Sequence, residues 1–396
     1  MPTSDDPFAD VTNLFTNRDA LTIDYQPDNV VERDDEISKL ANALNAVRNG
    51  WSPDNIFIYG KTGVGKTVVT RHVLSKLQQH VDITTIRVTC NSQSSYQTAI
   101  KTVNNLRQGT DRPPLPMTGH ATQAIFDALY GELNDRGDPA IIVLDEVDSL
   151  GSDDKLLYEL PRAKDNDHLD DDVTLGVIGI SNDFTYRRNL SPKVKDSLAE
   201  KEIHFQPYSA SELQAILQSR ADVGVTDDVL DDGVIPLCAA YSSQEHGSAR
   251  QAIELLREAV DLASQRGHMT VSEEEVRDAR GLVEKNQIRD AIGSLTDHGL
   301  FALIALSYET EDSTGVRGKT IYGQYRRLSE MNGRDPLSYD RLRDQLDELS
   351  LGGFAEKTVQ NKGEAGGRYN EYQCQYPYDV VVDAVSDHRD WAVFDI

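Results

Sequence analysis

What the chain has little of narrows its class first. Cysteine occurs only at positions 90, 238 and 374, with no CxxC pair, which argues against a zinc site or a disulfide framework. The longest apolar runs, such as Phe301 to Leu306, fall far short of the roughly 20 residues that a membrane-spanning helix needs. The N-terminal stretch MPTSDDPFADV is acidic and has no apolar segment, so no secretion signal is expected; a soluble cytoplasmic protein is. Positive charge is scarce as well. Against 66 Asp and Glu stand 40 Lys and Arg, a net charge of −26, and lysine is the scarcer cation. Such a surface favours solubility, adds self-repulsion that salt screens, and suits a salt-rich cytoplasm. An acidic protein that avoids nucleic acid is the alternative. At 396 residues the chain exceeds one ordinary core, and two or three domains are expected.

Between 55 and 206, short apolar runs alternate with helical stretches. The runs are NIFIY (55–59), ITTIRV (83–88), AIIVLD (140–145), LGVIGI (175–180) and EIHF (202–205). Buried strands alternating with helices predict an α/β layer structure with a parallel sheet. Beyond Pro207 the strand signal fades. Residues 209–222, 227–242, 248–265 and 272–287 read as helices of a small domain, with Ser211, Thr226, Ser248 and Ser272 near N-caps. A third unit starts near Ile292, with helical patterns at about 297–309, 319–332 and 338–350, then a glycine-rich segment between two strand-like runs. The expected division is 1–207, 208–290 and 291–396. The acidic run Asp165 to Asp172 reads as a solvated loop.

The strongest motif is GKTGVGKT, Gly60 to Thr67, which follows an apolar strand and opens a helix. That is the setting a phosphate-binding loop requires. Gly60, Gly63, Val64 and Gly65 are expected to bring main-chain N–H groups to phosphate oxygens, helped by the helix N-terminus. Lys66 is expected on the β- and γ-phosphates and the Thr67 hydroxyl on Mg²⁺. In IIVLDEVDSL (141–150), two carboxylates end a buried strand. Asp145 is expected to hold Mg²⁺, directly or through water, and Glu146 to polarise the attacking water. An acidic loop after a core strand is the bland reading; its place downstream of a phosphate loop, at a strand's carboxyl end, favours the site. GISND (179–183) places Asn182 where it can touch the γ-phosphate or the water, with a turn-forming Asn-Asp pair as the alternative.

Near the C-terminus, Ser338 is a good N-cap, and Leu342, Leu346 and Leu349 form a stripe that should face a core. Arg341 and Arg343 lie about 100° to either side of Leu342, and the preceding helix carries Arg326 and Arg327. Arg317 to Arg343 holds seven basic residues and three acidic ones, a local positive excess of the kind that phosphate contact needs. The segment FAEKTVQNKGEAGGRYNEYQC (354–374) resembles a wing with Lys362 and Arg368 at its tip, placed to enter a minor groove or grip the backbone. Solvated surface charge is the alternative for each arginine, and a protein-binding winged helix is the alternative for the unit.

Taken together, GKTGVGKT, LDEVD and GISND resemble the Walker A, Walker B and sensor 1 motifs of AAA+ ATPases. SPKVKDSLAEKEIHFQPYSASEL (191–213), NRDALTIDYQPDNVVERDDEI (17–37) and HGSARQAIELLREAV (246–260) resemble archaeal replication initiators related to the origin recognition complex. The resemblance spans nearly the whole chain. It implies an AAA+ parallel-sheet P-loop base, an α-helical lid and a C-terminal winged-helix domain. It places Arg33 beside the adenine, Tyr208 at the base–lid junction, Arg220 in the lid's share of the pocket, and Arg250 as sensor 2, reaching the phosphates. A packed hinge tyrosine and surface helix arginines are the structural alternatives. One departure concerns the segment where the family carries an arginine finger. Here Lys193 and Lys195 stand, and lysine lacks arginine's planar fork, which puts trans-activated hydrolysis in question. The family also has a DNA-touching helical insertion, matched by Tyr96 to His120 with Lys101, Arg107 and Arg112; prolines 113, 114 and 116 more simply mark a turn.

The implied cofactors are ATP or ADP with Mg²⁺. The implied partners are double-stranded origin DNA, the replicative helicase and further copies of the chain on DNA, with no membrane. Two alternatives remain: a sequence-specific DNA-binding regulator with a weak or vestigial ATPase, and a signalling or scaffold AAA+ protein.

Overall fold

The computed structural model describes residues 13–91, 93–198, 200–293, 295–311, 313, 315–361, 368–386 and 391–393. It divides into two compact units that part between Arg277 and Asp278. No helix among the described residues is long and apolar enough to cross a membrane.

The first unit opens with α1 (Asp34–Arg48), β1 (Ile56–Gly60), α2 (Lys66–Gln78), β2 (Thr84–Thr89), α3 (Ser95–Arg107), α4 (Thr122–Arg136) and β3 (Ala140–Asp145). It continues through α5 (Lys155–Glu159), β4 (Leu175–Ser181), α6 (Tyr186–Asn189), α7 (Pro192–Leu198) and β5 (Lys201–Phe205). The five expected strands are the five observed ones, displaced by no more than a residue at either end. They form one parallel sheet in the order β2-β3-β4-β1-β5. Apolar runs without alternation are what a sheet covered on both faces selects; all six residues of β3 are buried. Because the strands run parallel, their carboxyl ends meet along one edge, where crossover order leaves a crevice. The phosphate loop, Asp145 and Asn182 all leave the sheet at that edge, from β1, β3 and β4.

Four helices follow: α8 (Ala210–Gly224), α9 (Val234–Glu245), α10 (Ala249–Gln265) and α11 (Glu273–Gly293), within which the boundary between the units falls. Ser248 caps α10 as expected, its side chain accepting from Gln251 N; at α11, Ser272 Oγ accepts from Glu274 N. Two expected caps are displaced. Ser209, not Ser211, caps α8 through a reciprocal capping box with Glu212. Both serines have Glu or Gln three residues on, so the local pattern is ambiguous and the chain takes the earlier one. Thr226 starts no helix; the chain turns through Asp228 at φ 59°, Leu230 bridges to Val271, and α9 begins eight residues later, at Val234. The N-terminal segment is fastened to these helices: Thr16 and Asn17 N–H donate to Gly224 O, and Arg18 pairs with Asp261 at 2.7 Å.

The second unit contains α12 (Asp297–Thr310), β6 (Val316–Arg317), α13 (Gly318–Met331), α14 (Tyr339–Leu351), β7 (Ala355–Asn361), β8 (Arg368–Cys374) and α15 (Tyr378–Ser386). Its sheet has the order β6-β8-β7, antiparallel throughout. Three helices and a β-hairpin make the winged-helix architecture. Leu342, Leu346 and Leu349 are buried in its core with α12, Tyr325 and Tyr372. Ser338 caps α14, accepting from Arg341 N. The strand β6 and the helix α15 are additions to the sequence reading.

Candidate nucleotide-binding site

Between β1 and α2 the backbone turns through Gly63 (φ 79°) and Gly65 (φ 92°), conformations that side chains resist. Crowding reinforces the requirement. A Cβ on Gly63 would meet Ser248 Oγ at 2.0 Å, and one on Gly65 would meet the Tyr208 hydroxyl at 2.7 Å. The lid therefore packs directly against the loop. It is also bonded to it: Ala249 N–H, an otherwise unsatisfied donor in the first turn of α10, donates to Gly63 O at 3.0 Å.

Lys66 is 5% exposed. Its ammonium donates to Gly60 O and Lys61 O at 2.7 Å each and to Asn182 Oδ1 at 2.8 Å. Burial pushes its pKa down to about 8, opposed by the nearby carboxylates of Asp145, Asp148 and Glu146. Asn182 is itself oriented, since its N–H donates to Asp148 Oδ1 at 3.0 Å. Thr67 Oγ1 donates to Asp145 Oδ2 at 3.0 Å. A hydroxyl and a carboxylate this close form the hard-oxygen donor pair that Mg²⁺ takes. Glu146 follows at φ 56°, a left-handed conformation that turns its carboxylate off the strand line at a mechanistic position.

The cleft over this loop is shared by base and lid. Gly63, Gly65, Lys66, Thr67, Asp145, Glu146 and Asn182 line it from the base, and Ile216, Arg220, Arg250 and Ile253 from the lid. The N-terminal segment also lines it, with Ile23, Pro27, Val30 and Val31 beside the polar Asp24 and Asn29. Gln26 lies there too; its Nε2 donates to Val68 O, while its Oε1 is buried without a partner. An orphaned acceptor in the cleft, with apolar neighbours, suits a base with an exocyclic amino group. The residues present thus fit a purine nucleotide with Mg²⁺.

The four residues placed by resemblance have distinct surroundings. Arg250 is solvent-facing on the cleft wall, beside Gly63. Tyr208 lines the cleft, but its ring is covered by the Arg33 guanidinium at 3.6 Å. Arg220 borders the cleft and donates to Ala20 O and Tyr25 O at 3.4 Å, over the Tyr25 ring; burial lowers its pKa. Arg33, expected beside the adenine, lies behind the loop instead. It donates to Val64 O at 3.1 Å, Glu36 Oε1 at 3.3 Å and Gln206 O at 2.6 Å. Its VVERDDE context could not show this, because the carbonyls it binds come from loop and hinge segments distant in sequence. Arg87 is a site residue that sequence reasoning missed: its Nη2 and Nε donate to Asp145 Oδ2 at 2.6 and 3.2 Å. A lone arginine in a strand carries no local signal of that contact.

Elsewhere, the candidate cations divide. Arg107 and Arg112 are both tied to Glu132, at 2.7 and 2.9 Å, and so are engaged within the base; Lys101 is half-buried. Lys195 donates to Arg188 O at 2.7 Å, while Lys193 is exposed. In the second unit Arg326, Arg327, Arg341 and Arg343 are all exposed. Arg326 reaches Glu330 at 3.3 Å, and Arg343 reaches Asp340 at 3.8 Å. Lys362 and the Arg368 side chain lie outside the described residues.

Comparison with known proteins adds independent findings. An AAA ATPase domain matches residues 29–169, the Cdc6 AAA+ ATPase-type lid domain matches 214–281, and the CDC6 C-terminal winged helix domain matches 290–384. ORC1-type DNA replication protein 8 of Halobacterium salinarum is 45% identical, over 98% of this chain and 99% of that one. ORC1-type DNA replication protein 15 of Haloarcula marismortui is 43% identical, over 95% and 93%. Among solved structures, the Aeropyrum pernix ORC1 protein in complex with DNA aligns with a TM-score of 0.84 at 30% identity, covering 95% of this chain and 97% of that one. The Aeropyrum pernix ORC2 protein, in its ADPNP–ADP complexes, shares the fold, with a TM-score of 0.59 at 22% identity over 95% and 98%.

Proposed function

Since the chain belongs to the family of ORC1-type DNA replication proteins, we propose that it is an ATP-dependent replication initiator. In this reading a Mg²⁺-nucleotide, ATP or ADP, is held between base (1–207) and lid (208–290), and its state governs how the winged-helix domain (291–396) engages double-stranded origin DNA. The observation that carries the reading is the convergence of Lys66, Thr67, Asp145, Asn182 and the lid's Arg250 on one cleft. Recruitment of the replicative helicase and self-association on DNA are part of the same proposal, supported by membership of the family.

The chemistry follows from the side chains. Bound Mg²⁺ supplies charge neutralisation at the phosphate oxygens, held through Thr67 and Asp145. Glu146 takes a proton from the attacking water, and Asn182 orients that water. Lys66, and Arg250 from the lid, stabilise charge as it develops on the phosphoryl oxygens. With Lys193 and Lys195 in the segment where the family carries a fork-shaped arginine, turnover is slow, as suits a switch that must persist in its bound state. On DNA, the exposed Arg326, Arg327, Arg341 and Arg343 serve phosphate contact, and the β7–β8 hairpin serves as the wing.

The test is fluorescent-nucleotide binding by the full chain and its Lys66→Ala variant, with duplex binding titrated from high salt downward. Loss of nucleotide binding in the variant, with a steep negative slope of log affinity against log salt, is expected. Unchanged nucleotide affinity in Lys66→Ala, or a flat salt response, overturns the proposal. A second reading, a DNA-binding regulator with a vestigial ATPase, is favoured by Lys193 and Lys195; single-turnover hydrolysis with and without DNA separates the two.

A further inference from the structure

We propose that Arg87 is a resident counter-cation of the metal-binding carboxylate, and that Mg²⁺ enters the site in competition with its guanidinium. The inference rests on the cleft being a nucleotide site and deepens that reading.

The placement comes from the sheet. β2 is an edge strand, and its Ile86 and Val88 are buried while Arg87 and Thr89 are exposed. In register, Thr89 faces Asp145 and Arg87 faces Val143. Arg87 therefore shares a face with Asp145, two residues back along the sheet, and its long side chain runs parallel to the strand to reach the carboxylate. Asp145 is 6% exposed, so a buried negative charge sits at the end of β3 and requires a partner.

That partner crowds one oxygen. Oδ2 accepts from Arg87 Nη2 at 2.6 Å, from Arg87 Nε at 3.2 Å and from Thr67 Oγ1 at 3.0 Å. Oδ1 accepts from Glu146 N at 3.1 Å. A carboxylate oxygen offers about two lone-pair sites, and three donors already share Oδ2. Mg²⁺ demands near-octahedral oxygen ligands, taken directly or through water molecules that themselves donate. Through Oδ2, the oxygen that Thr67 shares, either mode needs the acceptor capacity that Arg87 now occupies. Thr67 can answer by rotating its hydroxyl. Arg87 cannot lose its charge, so it must move. It has somewhere to go: its side chain is 38% exposed and borders a groove between α2 and β2 lined by Thr70, Arg71, Ser75, Gln78 and Thr85.

An ion pair that merely braces Asp145 and one that competes with the metal predict opposite signs. Removing a brace weakens metal binding; removing a competitor tightens it. The experiment uses the full chain saturated with ADP, which has no γ-phosphate for Arg87 to contact, and titrates Mn²⁺ by electron paramagnetic resonance at fixed salt. ADP binding in EDTA is measured first; if the wild-type protein binds no ADP, the nucleotide reading fails before this one is tested. With ADP bound, Arg87→Gln is expected to tighten Mn²⁺ about tenfold, the size of one partly exposed charged hydrogen-bond pair. Unchanged or weaker Mn²⁺ binding in a variant with a wild-type melting curve overturns the proposal. If Arg87→Gln does not fold, Arg87→Lys decides, because a point charge grips Oδ2 less firmly than the fork. About threefold tighter Mn²⁺ supports the competition, and equal or weaker binding sinks it.

Discussion

Arg33 and Arg220 in the first unit are almost wholly buried and direct their guanidinium groups at main-chain carbonyls. Arg326, Arg341 and Arg343 in the second unit stand in solvent, and Arg326 and Arg343 reach carboxylates on their own helices only at 3.3 and 3.8 Å. The same residue type does two jobs. In the first unit it holds loop, hinge and N-terminal segment together, and its loss would leave carbonyls buried without donors. In the second it contributes little to the fold and is available to a partner. Burial of the head group, rather than the presence of an arginine, separates architecture from recognition.

The contrast can be broken most sharply at the cleft. Glu146→Gln is expected to cut single-turnover ATP hydrolysis by about 10²–10⁴ while leaving nucleotide and duplex affinity unchanged; normal hydrolysis would remove Glu146 from its role. Next in size is Arg33→Ala. Loss of three hydrogen bonds and the stack on Tyr208 should cost about 3 kcal/mol, seen as a Tm lower by roughly 6–12 °C in calorimetry. A melting curve that barely moves would contradict the architectural role. Third is pH. Burial holds the Lys66 pKa near 8 in the free cleft, and a bound polyanion favours the charged form and raises it again. Nucleotide affinity should therefore be full below about pH 8 and fall above it, by up to roughly tenfold per unit, with Lys66→Arg flattening the profile. For the folded chain alone the sign is opposite: the free protein binds fewer protons here than the unfolded chain, so this lysine's burden on stability eases as pH rises from about 8 towards the ordinary lysine value. The smallest effect is Arg341→Ala. Stability should change by less than about 0.5 kcal/mol, while the salt slope of duplex binding falls by about 0.9 if the side chain meets one phosphate.

Sequence and structure agree where function imposes a local pattern. The glycines of the phosphate loop, the carboxylates ending β3 and the asparagine ending β4 are short motifs at strand ends, and strand order alone brings them together. Caps were legible where a serine stood without a rival, as at Ser248 and Ser338, and misplaced where two overlapped, as at Ser209 and Ser211. Arg87, Gln26 and the true setting of Arg33 were not legible, because each gains its meaning from a partner 25 or more residues away. For Arg87 that partner is Asp145, 58 positions on. The helix α15 went unread because YDVVVDAV carries the β-branched residues of a strand, and packing on α12 overrides that preference.

The bond from Ala249 N–H to Gly63 O has a consequence for timing. The lid cannot lift without taking that donor off the phosphate loop, so opening of the cleft and exposure of one backbone proton are a single event. Deuterium uptake at Ala249 is then a clock for lid motion that needs no label or substitution. It should run far faster than uptake at Ile142 in the buried strand, which waits for the whole unit to unfold, and slow markedly when a ligand bridges Lys66 and Arg250.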